Sequence, residues 1–420
     1  MKKALIITYY WPPGGGAGVQ RWLKMARYLT EFEIEPYILT VDQSYATYPA
    51  TDISLERDIP AGLKVFKTRA TDYFRLLSRN KTVLSSAGFA KEGKNSFREK
   101  VARFIRGNFF IPDPRRGWNR YAFRKAVEII DIYGINTVIT TSPPHSTQLI
   151  GLKLKNRYPE INWIADLRDP WTDIYYYREF YPSLPAKMLD KRLEVKVIAG
   201  ADHIITVGDS LSELFSGKHS SVSGKISVIR NGYDPADFTG LTPQKPRVFT
   251  ISYTGTLSDS YNLTGLIAAL RELENNGKVY RLRFTGYVSG KQRELLRICL
   301  PSARVEFHDY CSHPDAIREM LISSVLLLLI PEHKSSRVII TGKLFEYIAT
   351  GKPVICIGPV DGDAASIVSG LGNGVAAGYN DHEALREFLE EAIAGRIPDR
   401  EYLPEEFSRK DGAEKLSELI

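Results

Sequence analysis

The sequence predicts an α/β protein built of two doubly wound parallel domains that face an interdomain cleft. Strand and helix patterns alternate through nearly all of the 420 residues, and the alternation restarts once, after a turn and linker near the middle. Repeated βα units form a parallel sheet with helices on both faces. Ligands of such sheets bind outside the carboxyl ends of the strands. Strand-end loops are therefore where functional residues are sought.

The first domain is predicted to span residues 1–234. Its strands are predicted at 3–10, 37–41, 136–142, 162–167, 203–207 and 226–230, with helices beginning near Val19 and at 119–133, 145–156, 186–199 and 209–216. Asn231-Gly232 is a turn signal, and residues 234–247 are typical of a linker. The last helix, within 405–420, is predicted to pack back on this domain.

The second domain is predicted to span residues 246–400. Its strands are predicted at 248–255, 280–286, 303–307, 325–330, 353–358 and 374–378, and its helices at 262–275, 289–299, 313–322, 363–370 and 381–394. A further short helix follows Thr341 and ends at a Gly-Lys-Pro stop.

That short helix carries the most informative pattern in the chain. Lys343 and Glu346 are three residues apart, so they share a helix face near the N-terminus. A helix N-terminus attracts phosphate through its free N–H groups and its dipole, here at Thr341 and Gly342. A carboxylate one turn on can accept ribose hydroxyls. The pattern indicates a nucleotide diphosphate site, although a solvated Lys/Glu pair on an amphipathic helix has the same spacing.

Glycines follow several predicted strands. Gly14, Gly15, Gly16 and Gly18 lie after the first strand and open a helix, but their spacing is not GxGxxG. In the second domain, Gly255 with Thr256 and also Gly286 stand at strand ends. Glycine lets backbone approach a phosphate or sugar closely. We therefore expect these loops to line ligand sites.

Polar residues follow two strands of the first domain. His145, after two prolines, is placed to bond hydroxyls or move a proton, but a capping or packing histidine fits the same pattern. Arg168 and Asp169 follow the next strand. The arginine either binds a phosphate or forms a strand-end ion pair with aspartate.

Composition excludes several classes of protein. The three cysteines are scattered and no CxxC occurs, which argues against a disulfide framework or zinc site and for a reducing compartment. No run approaches the roughly 20 apolar residues of a membrane span. We expect a soluble cytoplasmic protein with no metal site and no cofactor.

Residues 98–125 are strongly basic. This stretch contains nine lysines and arginines but only two acidic residues, Glu99 and Asp113, and aromatic residues are interleaved with the basic ones. The basic residues are Arg98, Lys100, Arg103, Arg106, Arg115, Arg116, Arg120, Arg124 and Lys125. This pattern fits an anionic membrane surface, with Phe104, Phe109, Phe110 and Trp118 inserting, or else a solvated basic face. A nucleic-acid partner is not predicted.

Taken in order, YYWPPGGGAGVQR, TTSPPHST, IADLRDPW, Asn231-Gly232, YTGTL and GKLFEYIATGKPVI resemble the family-4 glycosyltransferases of the GT-B fold. The resemblance covers nearly the whole chain and implies two Rossmann-like domains, an acceptor-side one first and a nucleotide-sugar-binding one second. It implies retaining, metal-independent transfer of a sugar, of the hexosyl type, from a nucleotide-sugar to a hydroxyl acceptor. By this likeness Glu346 holds the ribose, His145 contacts the transferred sugar, and the first glycine loop lines the cleft.

Two positions depart from the family pattern. Val338 replaces a frequent glutamate, and the run from Ser258 replaces an Arg and Lys that clamp the diphosphate. The chain instead resembles the branch with Lys-x-x-Glu, in which Lys343 and Arg337 supply the charge. The expected acceptor is a lipid-linked glycan of surface polysaccharide synthesis, reached at the inner face of the cytoplasmic membrane. A sugar-nucleotide epimerase on this fold, or a non-catalytic nucleotide-sugar-binding or membrane scaffold protein, remains an alternative.

Overall fold

The computed structural model describes residues 1–73, 97–401 and 403–420. It divides into two units, one of residues 1–230 and 409–420 (unit 1) and one of residues 231–408 (unit 2). Each unit holds one sheet, of seven and six strands, and every strand pairing in both is parallel. The prediction of two parallel α/β sheets is thereby confirmed.

The sheet of unit 1 has the strand order β3-β2-β1-β4-β5-β6-β7. Its strands are β1 (Lys2–Ile7), β2 (Ile34–Val41), β3 (Lys64–Thr68), β4 (Thr137–Ser142), β5 (Asn162–Leu167), β6 (His203–Thr206) and β7 (Ile226–Val228). Its helices in the described residues up to position 230 are α1 (Ala17–Leu29), α2 (Phe97–Phe109), α3 (Asn119–Tyr133), α4 (Gln148–Arg157), α5 (Leu184–Gly200) and α6 (Asp209–Ser216). The chain reverses its direction of winding between β1 and β4, so the loops after these strands meet at a topological switch point.

Successive residues of β1 belong to different cores. Leu5 and Ile7 pack in one cluster and Ala4 and Ile6 in another. This is the alternation of side chains across a strand, and it shows that both faces of the sheet are covered. A continuous apolar run in the sequence is the signature of such a strand.

Strand β3 was not predicted. Its sequence, KVFKT, places Lys64 and Lys67 in an exposed position at the edge of the sheet, where it pairs with β2 alone. An edge strand that is only half buried needs no apolar run, and the sequence therefore gives little sign of it.

Unit 2 repeats the topology with the order β10-β9-β8-β11-β12-β13. Its strands are β8 (Thr250–Thr254), β9 (Arg281–Thr285), β10 (Val305–His308), β11 (Val325–Leu329), β12 (Val354–Ile357) and β13 (Gly374–Ala377). Its helices are α7 (Thr264–Asn275), α8 (Gly290–Cys299), α9 (His313–Leu321), α10 (Gly342–Ala349), α11 (Asp363–Ser369) and α12 (His382–Ile393). The switch point lies between β8 and β11, and the residues of β11 again alternate between two cores.

The last helix, α13 (Arg409–Ser417), packs in the core of unit 1. Ala413 and Leu416 join the cluster that contains α1, and an added Cβ at Gly412 would lie 3.1 Å from the Met25 methyl carbon. Asn162 of β5 donates to the Leu419 carbonyl at 2.7 Å. Residues 409–420 thus pack against α1 and β5 of unit 1.

Only part of the basic segment 98–125 is exposed to solvent. Trp118 is 1% exposed and donates to the Thr68 hydroxyl, so the prediction that it inserts into a membrane is wrong. Arg115 is also buried, with its guanidinium 3.2 Å from the Thr47 carbonyl. By contrast, Phe104 and Phe109 are exposed. The side chains of residues 98 and 99 lie outside the described part. Within that part, no helix is long and apolar enough to cross a membrane.

Candidate functional site

Two glycine loops meet at the switch point of unit 2. Gly255 follows β8 with φ +115°, and Gly286 follows β9 with φ +119°. A Cβ at Gly286 would lie 2.5 Å from the Gly255 carbonyl oxygen, which no side chain tolerates. Both positions therefore need glycine, for conformation and for close approach. Thr256 contributes its carbonyl, which accepts from the Tyr253 hydroxyl at 2.7 Å.

Lys343, in the first turn of α10, lies beside these loops. Its Nζ is 4.0 Å from the centroid of the Tyr253 ring and 2.9 Å from where a Gly255 Cβ would stand. Burial lowers the pKa of this ammonium group to about 7, and the charge of Glu346 opposes the shift only in part. In the described part of the chain no carboxylate lies within 4.0 Å of Nζ. The lysine is thus a desolvated amine, held on an aromatic face, that is only partly protonated near neutral pH.

Glu346 is bound by a residue from another helix. Its Oε1 lies 2.9 Å from Nε2 of His313, the first residue of α9. The glutamate side chain is 17% exposed, so the carboxylate is neither solvated freely nor sealed from a ligand. Lys343 and Glu346 share one helix face but bind different groups.

The N-terminus of α10 offers unsatisfied hydrogen-bonding groups. Thr341 is its N-cap but makes no side-chain cap bond, and among the described residues its buried hydroxyl has no partner. Gly342 begins the helix. Arg337 Nε donates to the Asp361 carbonyl at 3.0 Å and lies 3.4 Å from that residue's carboxylate. Both side chains of this pair are more than half exposed.

In unit 1 the first glycine loop lies against Arg168. A Cβ at Gly18 would be 2.5 Å from the Arg168 guanidinium, and Gly16, the N-cap residue just before α1, has φ +100°. The Gly15 amide donates to the Ala50 carbonyl. Small residues are therefore required here by packing within the unit as well as by any ligand.

Arg168 makes the contacts of a strand-end residue. Its Nε donates to the Ser142 carbonyl at 3.0 Å and lies 3.5 Å from the buried Asp166 carboxylate. Neighbouring Asp169 is desolvated, which raises the pKa of its carboxyl group although Arg168 opposes the shift. Of the two sequence interpretations, these contacts match the strand-end ion pair.

His145 lies in a short 3-10 turn, His145–Thr147, that precedes α4. Its ring stacks on the Trp171 ring, with 4.8 Å between the ring centroids and 14° between the ring planes. The indole N–H of Trp171 in turn donates to the Asp190 carboxylate at 2.8 Å. Burial, with the charges of Lys218 and Arg168 adding, lowers the pKa of His145 to about 3. The imidazole is therefore neutral at neutral pH, and its buried Nδ1 has no partner among the described residues.

A neutral His145 should make the protein sensitive to acid. Because its pKa is depressed in the folded state, its contribution to stability is complete above pH 6.5 and is lost as the pH falls toward 3. Between pH 7.5 and pH 5, the wild type should lose about 1–2 kcal/mol more unfolding free energy than His145→Gln. Urea unfolding followed by tryptophan fluorescence reports this, since all five tryptophans lie in unit 1. The same substitution at His203 is the control, and equal acid sensitivity of wild type and His145→Gln would contradict the prediction.

Sequence reasoning missed four residues of these sites. His313 and Tyr253 contact Glu346 and Lys343, and Trp171 with Asp190 supports His145. The partners in each of these pairs are far apart in the sequence, so no spacing could reveal them. Within the described residues, no group of three or more metal-ligating side chains is assembled.

Solved structures resemble the chain over its whole length. Sucrose-phosphate synthase from Thermosynechococcus elongatus matches with a TM-score of 0.62 at 14% identity, covering 100% of this chain and 98% of its own. HepE of Anabaena, solved in complex with UDP and glucose, matches with a TM-score of 0.58 at 13% identity. The match covers 100% of this chain and 99% of the HepE chain. The lipopolysaccharide outer core galactosyltransferase WaaB matches with 0.56 at 14%, covering 99% of both.

These likenesses establish the GT-B fold for this chain. No family model matches the sequence, and no curated protein matches it either. At such low identity, activity and substrate have to be argued from the residues of the site.

Proposed function

We propose that the protein is a retaining glycosyltransferase that moves a sugar, of the hexosyl type, from a nucleotide-sugar to a hydroxyl acceptor. The observation that carries the proposal is the desolvated Lys343 ammonium beside Gly255, on the same helix face as Glu346. A half-buried, poorly solvated ammonium group without a carboxylate partner is costly, and a diphosphate would offset that cost. The ribose carboxylate would be Glu346, one turn further along α10.

The reaction follows from where charge develops. Departure of the nucleotide places negative charge on its diphosphate, and Lys343 with the N-terminus of α10 would stabilise that charge. Thr341 and Gly342 would direct N–H groups to the same phosphate. No carboxylate pair for a double displacement is evident in the sequence. The resemblance to the family-4 glycosyltransferases implies a front-face transfer without a metal ion, in which the departing phosphate takes the proton of the acceptor hydroxyl, and we assign that mechanism here.

Acceptor recognition is assigned to unit 1. A neutral imidazole can donate a hydrogen bond to a sugar hydroxyl or accept one from it, and His145 is neutral at neutral pH. Gly15, Gly16 and Gly18 would keep the neighbouring surface open. Arg168 and Asp169 would support this loop rather than bind phosphate, because Arg168 already bonds the Ser142 carbonyl.

The proposal is tested by a screen of nucleotide-sugars with thermal unfolding as the readout, because a bound donor raises stability by mass action. The donor that binds is then incubated with glycan and lipid-linked glycan acceptors. A product that forms only when an acceptor is present would support the proposed glycosyltransferase activity. Conversion of the donor alone to an epimer would indicate an epimerase, and binding without any turnover would indicate a non-catalytic protein.

Donor binding should be accompanied by proton uptake. The pKa of Lys343 is about 7 in the free protein, so at pH 8 the amine is mostly neutral, and a bound diphosphate should raise this pKa. We expect most of one proton to be taken up per donor bound, measured by calorimetry in buffers of different ionisation enthalpy. Lys343→Met should abolish the uptake, whereas Lys291→Met, an exposed lysine on α8, should not. Uptake that persists in Lys343→Met would contradict the assignment.

We further propose that unit 1 binds an anionic membrane surface and that the protein is peripheral at the inner face of the cytoplasmic membrane. Phe97, Val101 and Phe104 are exposed along α2, and Leu184 and Met188 are exposed on α5. The Asn108 side chain, which bonds both the Tyr181 carbonyl and the Ser183 amide, joins the end of α2 to the start of α5. We use the name apolar face for the five exposed apolar side chains, which are Phe97, Val101, Phe104, Leu184 and Met188.

Basic residues accompany the apolar face. Lys100 and Lys191 are exposed and Lys187 is half-buried, at helical positions that place them near the apolar side chains. Each such residue near an anionic bilayer is worth about 1 kcal/mol. Apolar insertion combined with basic charge is the pattern of an interfacial helix, and it suits an enzyme whose acceptor is a lipid-linked glycan.

Vesicle binding should depend on both features. The double variant Phe97→Ser/Phe104→Ser should bind vesicles containing phosphatidylglycerol about tenfold more weakly than the wild type, because less apolar area is buried. Lys100→Glu should weaken binding and reduce its salt dependence. Ile298→Ser, at a 73% exposed position of α8 in unit 2, is the matched control. Co-sedimentation unaffected by salt and by all these variants would contradict the proposal.

A further inference from the structure

Two opposite charges on one face of α10 do not pair with each other. Lys343 and Glu346 are three residues apart, a spacing at which lysine and glutamate attract. Nevertheless no ion pair within 4.0 Å joins them in the described structure. Such a pair would neutralise both of the groups that a nucleotide diphosphate needs, one for its phosphates and one for its ribose. Something must hold the carboxylate and the ammonium apart.

Each charge is held by a different element of unit 2. The Lys343 ammonium lies over the Tyr253 ring, which comes from β8. Glu346 Oε1 lies 2.9 Å from His313 Nε2, which comes from the start of α9. An ionised carboxylate can only accept, so the imidazole Nε2 donates this hydrogen bond. One carboxylate oxygen is thereby occupied, and among the described residues the other has no hydrogen-bond donor.

The start of α9 is itself well anchored. Ser312 caps the helix by accepting from the Asp315 amide, and Pro314 stands in the first turn. A capped helix start with proline is a rigid place from which to present a side chain. The His313 ring is 29% exposed, so most of its surface is fixed by packing. The His313 side chain is therefore held more firmly than the flexible Glu346 side chain, and the hydrogen bond between them restricts the glutamate.

We propose that His313 is a positioning residue that holds the Glu346 carboxylate toward the donor's ribose and away from Lys343. The inference rests on the proposed function, since it presumes that Glu346 binds ribose hydroxyls. A glutamate side chain has three torsions to restrict, and a partner that restricts them before binding lowers the entropic cost of capturing the sugar. His313 acts through Glu346 and need not touch the ribose.

The test compares ribose and dideoxyribose ligands. Calorimetry gives the dissociation constants of UDP, GDP and ADP and of their 2′,3′-dideoxy forms, and the preference for the ribose form isolates the Glu346 contact. His313→Ala should reduce this preference roughly 2- to 12-fold and leave the dideoxy affinity unchanged. His313→Gln should restore the preference, because an amide N–H can replace Nε2–H. A merely structural role would change both affinities together and would not be rescued.

The controls separate the inference from the proposed function. His308→Ala removes another histidine of unit 2, 45% exposed and at the end of β10, and should change nothing. If the wild type prefers ribose and Glu346→Ala loses that preference while His313→Ala keeps it, the positioning role is refuted and the donor site stands. If the wild type binds both forms of every nucleotide equally, the ribose role of Glu346 fails, and the inference fails with it.

Discussion

Replacing Glu346 with alanine should weaken the binding of a nucleotide-sugar by roughly 10- to 150-fold, the loss of a charge-assisted hydrogen bond to a buried group. The loss should appear in calorimetric affinity as well as in kcat/KM, because the ribose contact is made in the ground state and the transition state alike. The fold should persist, since His313 is the one hydrogen-bond partner of the carboxylate among the described residues. Glu346→Gln should lose less, because its amide oxygen can still accept.

A matched control is available in unit 2. Glu294 is exposed on α8, and Glu294→Ala should leave nucleotide affinity unchanged. Far-ultraviolet circular dichroism establishes that each variant is folded. Wild-type affinity in a folded Glu346→Ala protein would remove Glu346 from the donor site and, with it, the main support for the proposed function.

Gly286→Ala should destabilise unit 2 by roughly 2–4 kcal/mol. The backbone at Gly286 has φ +119°, where a side chain is strained, and the new Cβ would lie 2.5 Å from the Gly255 carbonyl oxygen. Relief would require the two loops to separate, and donor affinity should fall with stability because Lys343 lies against Gly255. Chemical unfolding followed by circular dichroism measures the change.

The effect should be confined to unit 2. Tryptophan fluorescence reports unit 1 alone, and its transition should stay near that of the wild type. Gly290 at the start of α8 provides the control, because its backbone φ is not positive and an added Cβ would meet nothing within 4 Å. Gly290→Ala should be neutral or stabilising by up to about 1 kcal/mol. A Gly286→Ala protein as stable as the wild type would show that the two loops adapt freely.

The sheets were predictable because both are buried on two faces. Strands such as β1 and β11 must present apolar side chains alternately to two cores, so they appear as continuous apolar runs. The same reasoning missed β3, whose half-exposed edge position imposes no such run. It also placed Trp118 on a surface, because an aromatic residue among arginines looks the same in sequence whether its ring faces solvent or the core.

By itself, the sequence determined the two parallel sheets, the glycines at strand ends and the shared helix face of Lys343 and Glu346. These follow from short-range periodicity and from backbone conformations that glycine alone adopts readily. Only the tertiary structure decided which groups hold those charges: Tyr253 from β8 under the ammonium and His313 from α9 on the carboxylate. It likewise placed Arg337 beside Asp361 and seated His145 on Trp171. Such contacts join residues that are far apart in the sequence. Local spacing cannot predict them, because the packing of sheets and helices decides which side chains come within bonding distance.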